Sequence, residues 1–239
     1  MKTVLCLDFD GVLCDSMDEC FIVGYNSFYD RDITAPAEAP QEVYRFFAAH
    51  RYLVAPPEDF YLLFHAFEVG MKTLGRARFA HLQAASRDAR KDARADFSGK
   101  FFARRSLKKA DAAQWLGLHR LYQQSSAVLA SDFPGFYIVT NKDRDSVERL
   151  ASHHAYRHKI LGIYSREISS DKRVSFEKLF ADTALDPRQQ RVVFVDDNRM
   201  HLEQVKSLGI ETCLAAWGYT DPGEEREFSV IHGLSELVL

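Results

Sequence analysis

Val4-Leu5-Cys6-Leu7-Asp8-Phe9-Asp10-Gly11-Val12-Leu13 is the stretch from which the rest of the chain can be read. A short, continuous apolar run delivers two carboxylates, two residues apart, into a glycine turn. Residues 3–8 read as a fully buried strand, with the β-branched Val4 inside it and a breaker at Gly11 just beyond. Strand residues alternate faces, so Asp8 and Asp10 point the same way if the extended backbone continues through Phe9. Two acids side by side repel each other unless a cation, a shared proton or different roles keep them there. A strand ending in a polar turn accounts for one aspartate easily and for two less easily.

Strands of the same type return only after Pro134-Gly135, where strands and helices alternate. Residues 136–139 form an apolar strand ending in Thr140-Asn141, and residues 143–154 a helix. Residues 160–164 are a short strand and 172–182 a helix. Arg191-Val192-Val193-Phe194-Val195 is a buried strand ending in Asp196-Asp197; a helix to residue 208 and a strand over 210–215 follow. Such alternation predicts a parallel sheet covered by helices on both sides. The first strand belongs with these in type, so residues 1–15 and 131–239 make one α/β core, a doubly wound, Rossmann-like, three-layer architecture.

Residues 16–130 have helical periods and no convincing strand, which makes them an all-helical insertion. Helices are predicted over 18–29, over 40–50 with Val43, Phe46 and Phe47 on one face, and after Pro56-Pro57. In the third, Glu58 and Asp59 suit the first turn, and Phe60, Leu63, Phe64, Phe67, Met71 and Leu74 share a face. A fourth spans 77–97 and stops at Ser98-Gly99; a fifth spans 106–130, carrying Trp115, Leu118, Tyr122 and Leu129.

The 239 residues suffice for a substantial core, and 46% hydrophobic with 27% charged residues excludes a disordered chain. A formal net charge of -3 gives no global reason to expect nucleic acid. Cys6, Cys14, Cys20 and Cys213 show no C-x-x-C pairing, which favours a reducing compartment. The amino-terminal apolar run is too short for a signal peptide, and no stretch is long enough to span a membrane. The expectation is a soluble, cytoplasmic protein.

In an open parallel sheet, ligands bind beyond the carboxyl ends of the strands. Asp8 and Asp10, Thr140 and Asn141, and Asp196 and Asp197 all follow strands, and Lys172 begins a helix. Converging carboxylates need a cation, and an all-oxygen set suits Mg²⁺ better than zinc. A hydroxyl, backbone amides and an ammonium beside them suit a phosphoryl group. A carboxylate can be the nucleophile of phosphoryl transfer, and a second one can protonate the leaving group and later activate water.

These motifs resemble those of the haloacid dehalogenase superfamily in its phosphatase branch. Asp8-Phe9-Asp10-Gly11-Val12 is similar to its first motif, Ile138-Val139-Thr140-Asn141 to its second, Lys172 to its third and Val193-Phe194-Val195-Asp196-Asp197 to its fourth. The resemblance implies a Mg²⁺-dependent phosphatase acting on a small phosphorylated metabolite through an aspartyl-phosphate. It makes Asp8 the nucleophile and Asp10 the acid and base. Thr140 and Lys172 hold the phosphoryl group together with Gly11 and Asn141, and Asp8, Asp10, Asp196 and Asp197 form the metal site. The insertion resembles the family's cap, which carries substrate specificity, and Trp217-Gly218-Tyr219 sits where related phosphatases carry a similar loop. A phosphomutase of the same superfamily is an alternative. So is a phospho-accepting signalling module, although such a module has no use for the insertion. Neither nucleic acid nor membrane is expected as a partner, and oligomeric state is open.

Departures from the pattern stand beside it. Relatives place a further acid four or five residues beyond the last motif aspartate, where this chain has His201 and Leu202, with Glu203 one further. Either Asp196 covers that role or the outer shell of the metal is unusual. No proline follows Lys172, and Lys159 and Arg173 compete for its part. The basic run over residues 87–109 reads as a solvated helix face with pairs such as Asp88 with Lys91, ahead of a surface steering an anionic substrate. His153, His154 and His158 read as surface histidines ahead of a metal site.

Overall fold

The computed structural model describes residues 3–130, 133–221 and 228–237, side chains at 87–89 and 127 apart. The chain divides into two compact units, Met1–Asp15 with Arg120–Leu239, and Ser16–His119.

In the first unit, strands β1 (Thr3–Leu7), β4 (Phe136–Val139), β5 (Ile160–Tyr164), β6 (Arg191–Asp196), β7 (Glu211–Ala215) and β8 (Ser229–Ile231) form a parallel sheet in the order β5-β4-β1-β6-β7-β8. β1 is buried because its neighbours flank it on both edges and its residues are apolar throughout: Leu5, Cys6 and Leu7 have no exposed surface. The winding runs outward through β4 and β5, then restarts at β6 on the other side of β1. β1 is therefore the switch point of a doubly wound sheet. Helices α8 (Arg144–His153), α9 (Lys172–Thr183) and α10 (Arg199–Val205) return the chain between strands. Each is started by a side chain in the turn after or before a strand: Asp143 accepts from the Ser146 amide at 2.9 Å, Asp171 from Arg173 at 2.9 Å and Asn198 from Met200 at 3.0 Å.

The second unit packs helices α1 (Met17–Tyr29), α2 (Gln41–His50), α3 (Phe60–Glu68), α4 (Arg76–Ala89), α5 (Lys91–Ala110) and α6 (Ala112–Gly117). Its core is aromatic: Phe47 stacks on Phe60 at 5.2 Å and on Phe64 at 5.3 Å, and Phe60 on Phe101 at 5.6 Å. The aromatic residues of α3 are thus spent on packing. Two ion pairs link elements of this unit, the buried pair of Arg105 with Glu19 at 2.7 Å and the half-buried Arg94 with buried Asp59 at 2.6 Å.

Several sequence expectations change. The helix expected over 77–97 breaks at Arg90, and Gly99 lies inside α5. The helix expected over 106–130 does not persist, because Asp111 ends α5 and caps α6 through the Gln114 amide at 3.1 Å. The chain then extends as β3 (Arg120–Leu121), antiparallel to β2 (Cys14–Asp15), before a short α7 (Ser126–Ala130). This pairing draws residues 120–130 into the first unit, so the helical unit ends at His119 and not at 130. Among the described residues of the basic run, Arg94 and Arg105 pair as above, Arg104 with Asp30 and Asp32, and Lys100 with Asp96. The side chain of Asp88 lies outside the described residues. All four cysteines are buried free thiols, and no helix among the described residues is long and apolar enough to cross a membrane.

Candidate active site

β4, β1 and β6 end side by side, with Leu7 in register with both Ile138 and Val195. The residues at or just beyond their carboxyl ends are Asp8, Thr140 and Asp196-Asp197, and the ladders continue into them: the Asp8 amide donates to the Val195 carbonyl at 2.9 Å, and that of Thr140 to Tyr164 at 2.9 Å. The backbone then turns at Phe9, whose carbonyl accepts from Leu13 and Cys14 at 3.0 and 2.9 Å. The extended course needed to keep Asp8 and Asp10 on one face therefore stops at Asp8, and the two acids take different partners.

Lys172 serves Asp8. It is the first residue of α9, and its side chain is 1% exposed. Its ammonium donates to Asp8 Oδ1 at 2.8 Å and to the Val139 carbonyl at 2.6 Å, and lies 3.5 Å from Asp196 Oδ2. Burial holds the Asp8 carboxyl above the usual carboxylate range; Lys172 pulls against that and Asp196 adds to it. Burial also pushes Asp196 up, but His201 and Lys172 beside it, with the Asn198 amide, bring it below that range. The competing cations lie elsewhere: Lys159 reaches the Phe133 carbonyl at 3.2 Å, and Arg173 pairs with Glu177 at 3.1 Å on the surface.

Lys142 serves Asp10. Its ammonium lies 3.0 and 3.2 Å from the two carboxylate oxygens, and its amide donates to Thr140 Oγ1 at 3.1 Å. Sequence reading missed this residue, although its position two beyond Thr140, in the turn that starts α8, was a usable signal. His201 also proves to be part of the cluster. Nδ1 donates to Asp196 at 3.0 Å, since a carboxylate can only accept, and Nε2 faces the Asn141 amide nitrogen at 3.1 Å. Asn141 is thereby joined to Asp196 through an imidazole.

Asp197 lies against the first turn. Gly11 has φ +91°, and a Cβ there would fall 2.0 Å from Asp197 Oδ2, so glycine is required for both its backbone angle and the space. The same Oδ2 accepts the Tyr219 amide at 2.6 Å.

One ligand atom from each of Asp8, Asp196 and His201 lies within 4.8 Å of the other two, the one such trio among the described residues. Both nitrogens of His201 are engaged in hydrogen bonds, which leaves the oxygens as the donors. Two buried carboxylates there face a single ammonium, and Asp8 stays raised by burial despite it. An oxygen-ligated divalent cation fits that donor set and that charge. His153 and His154 meet edge to face at 4.8 Å and join no such group.

The chain, a parallel sheet wound outward from β1 with acids, a hydroxyl and a buried lysine gathered at its carboxyl edge, shares its fold with haloacid dehalogenase-like hydrolases of known structure. Among solved structures, a hydrolase of the haloacid dehalogenase-like family from Streptococcus pneumoniae is similar at TM-score 0.56 and 15% identity, over 96% of this chain and 93% of that one. A predicted phosphatase from Clostridium acetobutylicum is similar at TM-score 0.61 and 12% identity, over 96% and 94%. Protein Tyrosine Kinase A of Mycobacterium tuberculosis is similar at TM-score 0.57 and 15% identity, over 98% and 94%. No protein-family model and no curated protein matches the chain. One fold thus carries differently named activities, and the activity must be argued from the site.

Proposed function

We propose that the chain is a Mg²⁺-dependent phosphatase that hydrolyses a small phosphomonoester through an aspartyl-phosphate on Asp8. The observation that carries this reading is the Lys172 ammonium, buried and bonded to Asp8 at 2.8 Å. A cation there holds a carboxylate ready beside the point where phosphoryl charge would accumulate. In the first step an Asp8 oxygen attacks phosphorus, the ester P–O bond breaks, and Asp10 gives its proton to the departing alcohol oxygen. In the second, water attacks the phospho-aspartate and passes a proton to Asp10. The bond from phosphorus to Asp8 then breaks and inorganic phosphate leaves.

Lys142, donating to both oxygens of Asp10, suits the ionised carboxylate that accepts this second proton. Thr140 Oγ1 accepts the Lys142 amide, which leaves its own proton to donate to the phosphoryl group, with Lys172, Asn141 and the Gly11 turn beside it. Asp8, Asp10, Asp196 and Asp197 would hold Mg²⁺. Bound there, the ion supplies charge neutralisation for the phosphoryl oxygens. The helical unit would select the substrate, a small phosphorylated metabolite of the cytoplasm.

The test is release of phosphate from p-nitrophenyl phosphate in Mg²⁺, which Asp8→Asn should abolish. Wild-type turnover in that variant would sink the mechanism. A long-lived acyl phosphate without steady release would point instead to a phospho-accepting module.

A further inference from the structure

The chain leaves the sheet unit at Asp15 and re-enters it at Arg120, and both points belong to one two-stranded ribbon, with Cys14 opposite Leu121 and Asp15 opposite Arg120. The loop after β7 is fastened to this ribbon and to the Gly11 turn at once. The Trp217 indole N–H donates to the Val12 carbonyl at 2.9 Å. Gly218 presses on the turn so closely that a Cβ would fall 2.2 Å from the Gly11 carbonyl oxygen and 2.4 Å from Asp197 Cβ. Tyr219 then bridges two places: its amide donates to Asp197 Oδ2 at 2.6 Å, and its hydroxyl to Asp15 Oδ1 at 2.9 Å. Tyr122, just past the second ribbon strand, hydrogen-bonds Tyr219, and its own amide holds the Leu13 carbonyl at 3.1 Å.

We propose that Tyr219 is a positioning residue that sets the Asp197 carboxylate for cation binding through its amide and anchors that setting to the ribbon through its hydroxyl. The proposal rests on Asp197 being a cation ligand. The Asp197 carboxylate is oriented by what holds its oxygens, and the short amide bond to Oδ2 orients it only as far as the amide is itself fixed. The loop contacts at Trp217 and Gly218 fix its near side, and the Tyr219 ring is the rigid arm that fixes its far side. Cation affinity at Asp197 therefore depends on Asp15, a residue that ligates nothing.

The experiment is calorimetric titration of the full chain with Mg²⁺ alone, without substrate. Tyr219→Phe, which keeps the ring and the amide, should weaken binding about fivefold, the worth of one hydrogen bond. Excess Mg²⁺ should then restore turnover of p-nitrophenyl phosphate. Asp15→Ala should weaken binding at least as much, Asp15→Asn should restore it by keeping Oδ1, and the double variant Tyr219→Phe/Asp15→Ala should lose no more than Asp15→Ala alone. Gly218→Ala, which displaces Asp197 directly, should lose more. Unchanged Mg²⁺ affinity in Tyr219→Phe, or additive losses in the double variant, overturns the proposal and leaves the phosphatase reading standing. A wild-type chain that binds no Mg²⁺ overturns both.

Discussion

Replacing Lys172 by Met tests the charge balance of the site without touching Asp8. At an effective dielectric constant of about 20, the Lys172 contacts with Asp8 and Asp196 are each worth about 5–6 kcal/mol in gross attraction. The cost of drying three charges offsets most of that. Taking away the cation alone leaves two carboxylates within 4.8 Å of each other in a buried site, and the expected loss is about 3–5 kcal/mol of unfolding free energy. The loss should depend on pH with a definite sign. Burial already raises the Asp8 carboxyl above its ordinary 3.8, and without Lys172 it rises further. Between 3.8 and the new value the folded chain holds a proton that the unfolded chain has released. Stability conferred by that proton is present at low pH and is lost as pH rises through the folded-state value. Urea titrations should therefore find Lys172→Met closer to wild type at about pH 5 than at about pH 8. Asp8→Asn in the same background should recover about 1–3 kcal/mol by removing one of the stranded charges. A Lys172→Met protein within about 0.5 kcal/mol of wild type, with no difference between the two pH values, would refute the assignment of Lys172 as the counter-ion of the buried acids.

Further outcomes follow from other contacts in the structure. Gly11→Ala places a Cβ 2.0 Å from Asp197 Oδ2 and should cut p-nitrophenyl phosphate turnover by about 100-fold or more. Gly209→Ala, at φ +72° with open space around it, should cost only about 1–2 kcal/mol of stability and leave turnover intact. In the helical unit, Arg105→Ala strands a fully buried Glu19 and should cost about 3–5 kcal/mol in urea unfolding. Arg104→Ala, whose partners Asp30 and Asp32 are exposed, should cost no more than about 1 kcal/mol.

The strands that carry the site were legible because each is a continuous apolar run with a polar end, a pattern a doubly wound sheet requires of its central strands. β8 was not, because Ser229–Ile231 is three residues long at the sheet edge, too short to show a period. The ribbon was missed for the same reason: two residues paired with two others more than a hundred positions away leave no local trace, and Leu118 and Tyr122 in helical register drew residues 106–130 into a single helix that the cap at Asp111 in fact interrupts.

The site divides along similar lines. Asp8, Thr140 and Asp196 could be read because strand ends present them, and the strand ends were already known. Lys142 was passed over, and His201 and Tyr219 were noticed without their partners, because the turns after those strands aim them. A turn sends a side chain back across the sheet edge by an amount that depends on its cap, and Asp143 and Asn198 set those caps in ways spacing alone does not encode. The departure noted at His201 was therefore a real signal read at the wrong level. A search for a missing acid looks for another ligand, whereas the imidazole engages Asp196 and Asn141 with its two nitrogens and so holds two groups of the cluster. In a site of this kind the strand ends define which groups can react, and the turn residues define how many of those groups are held still enough to do so.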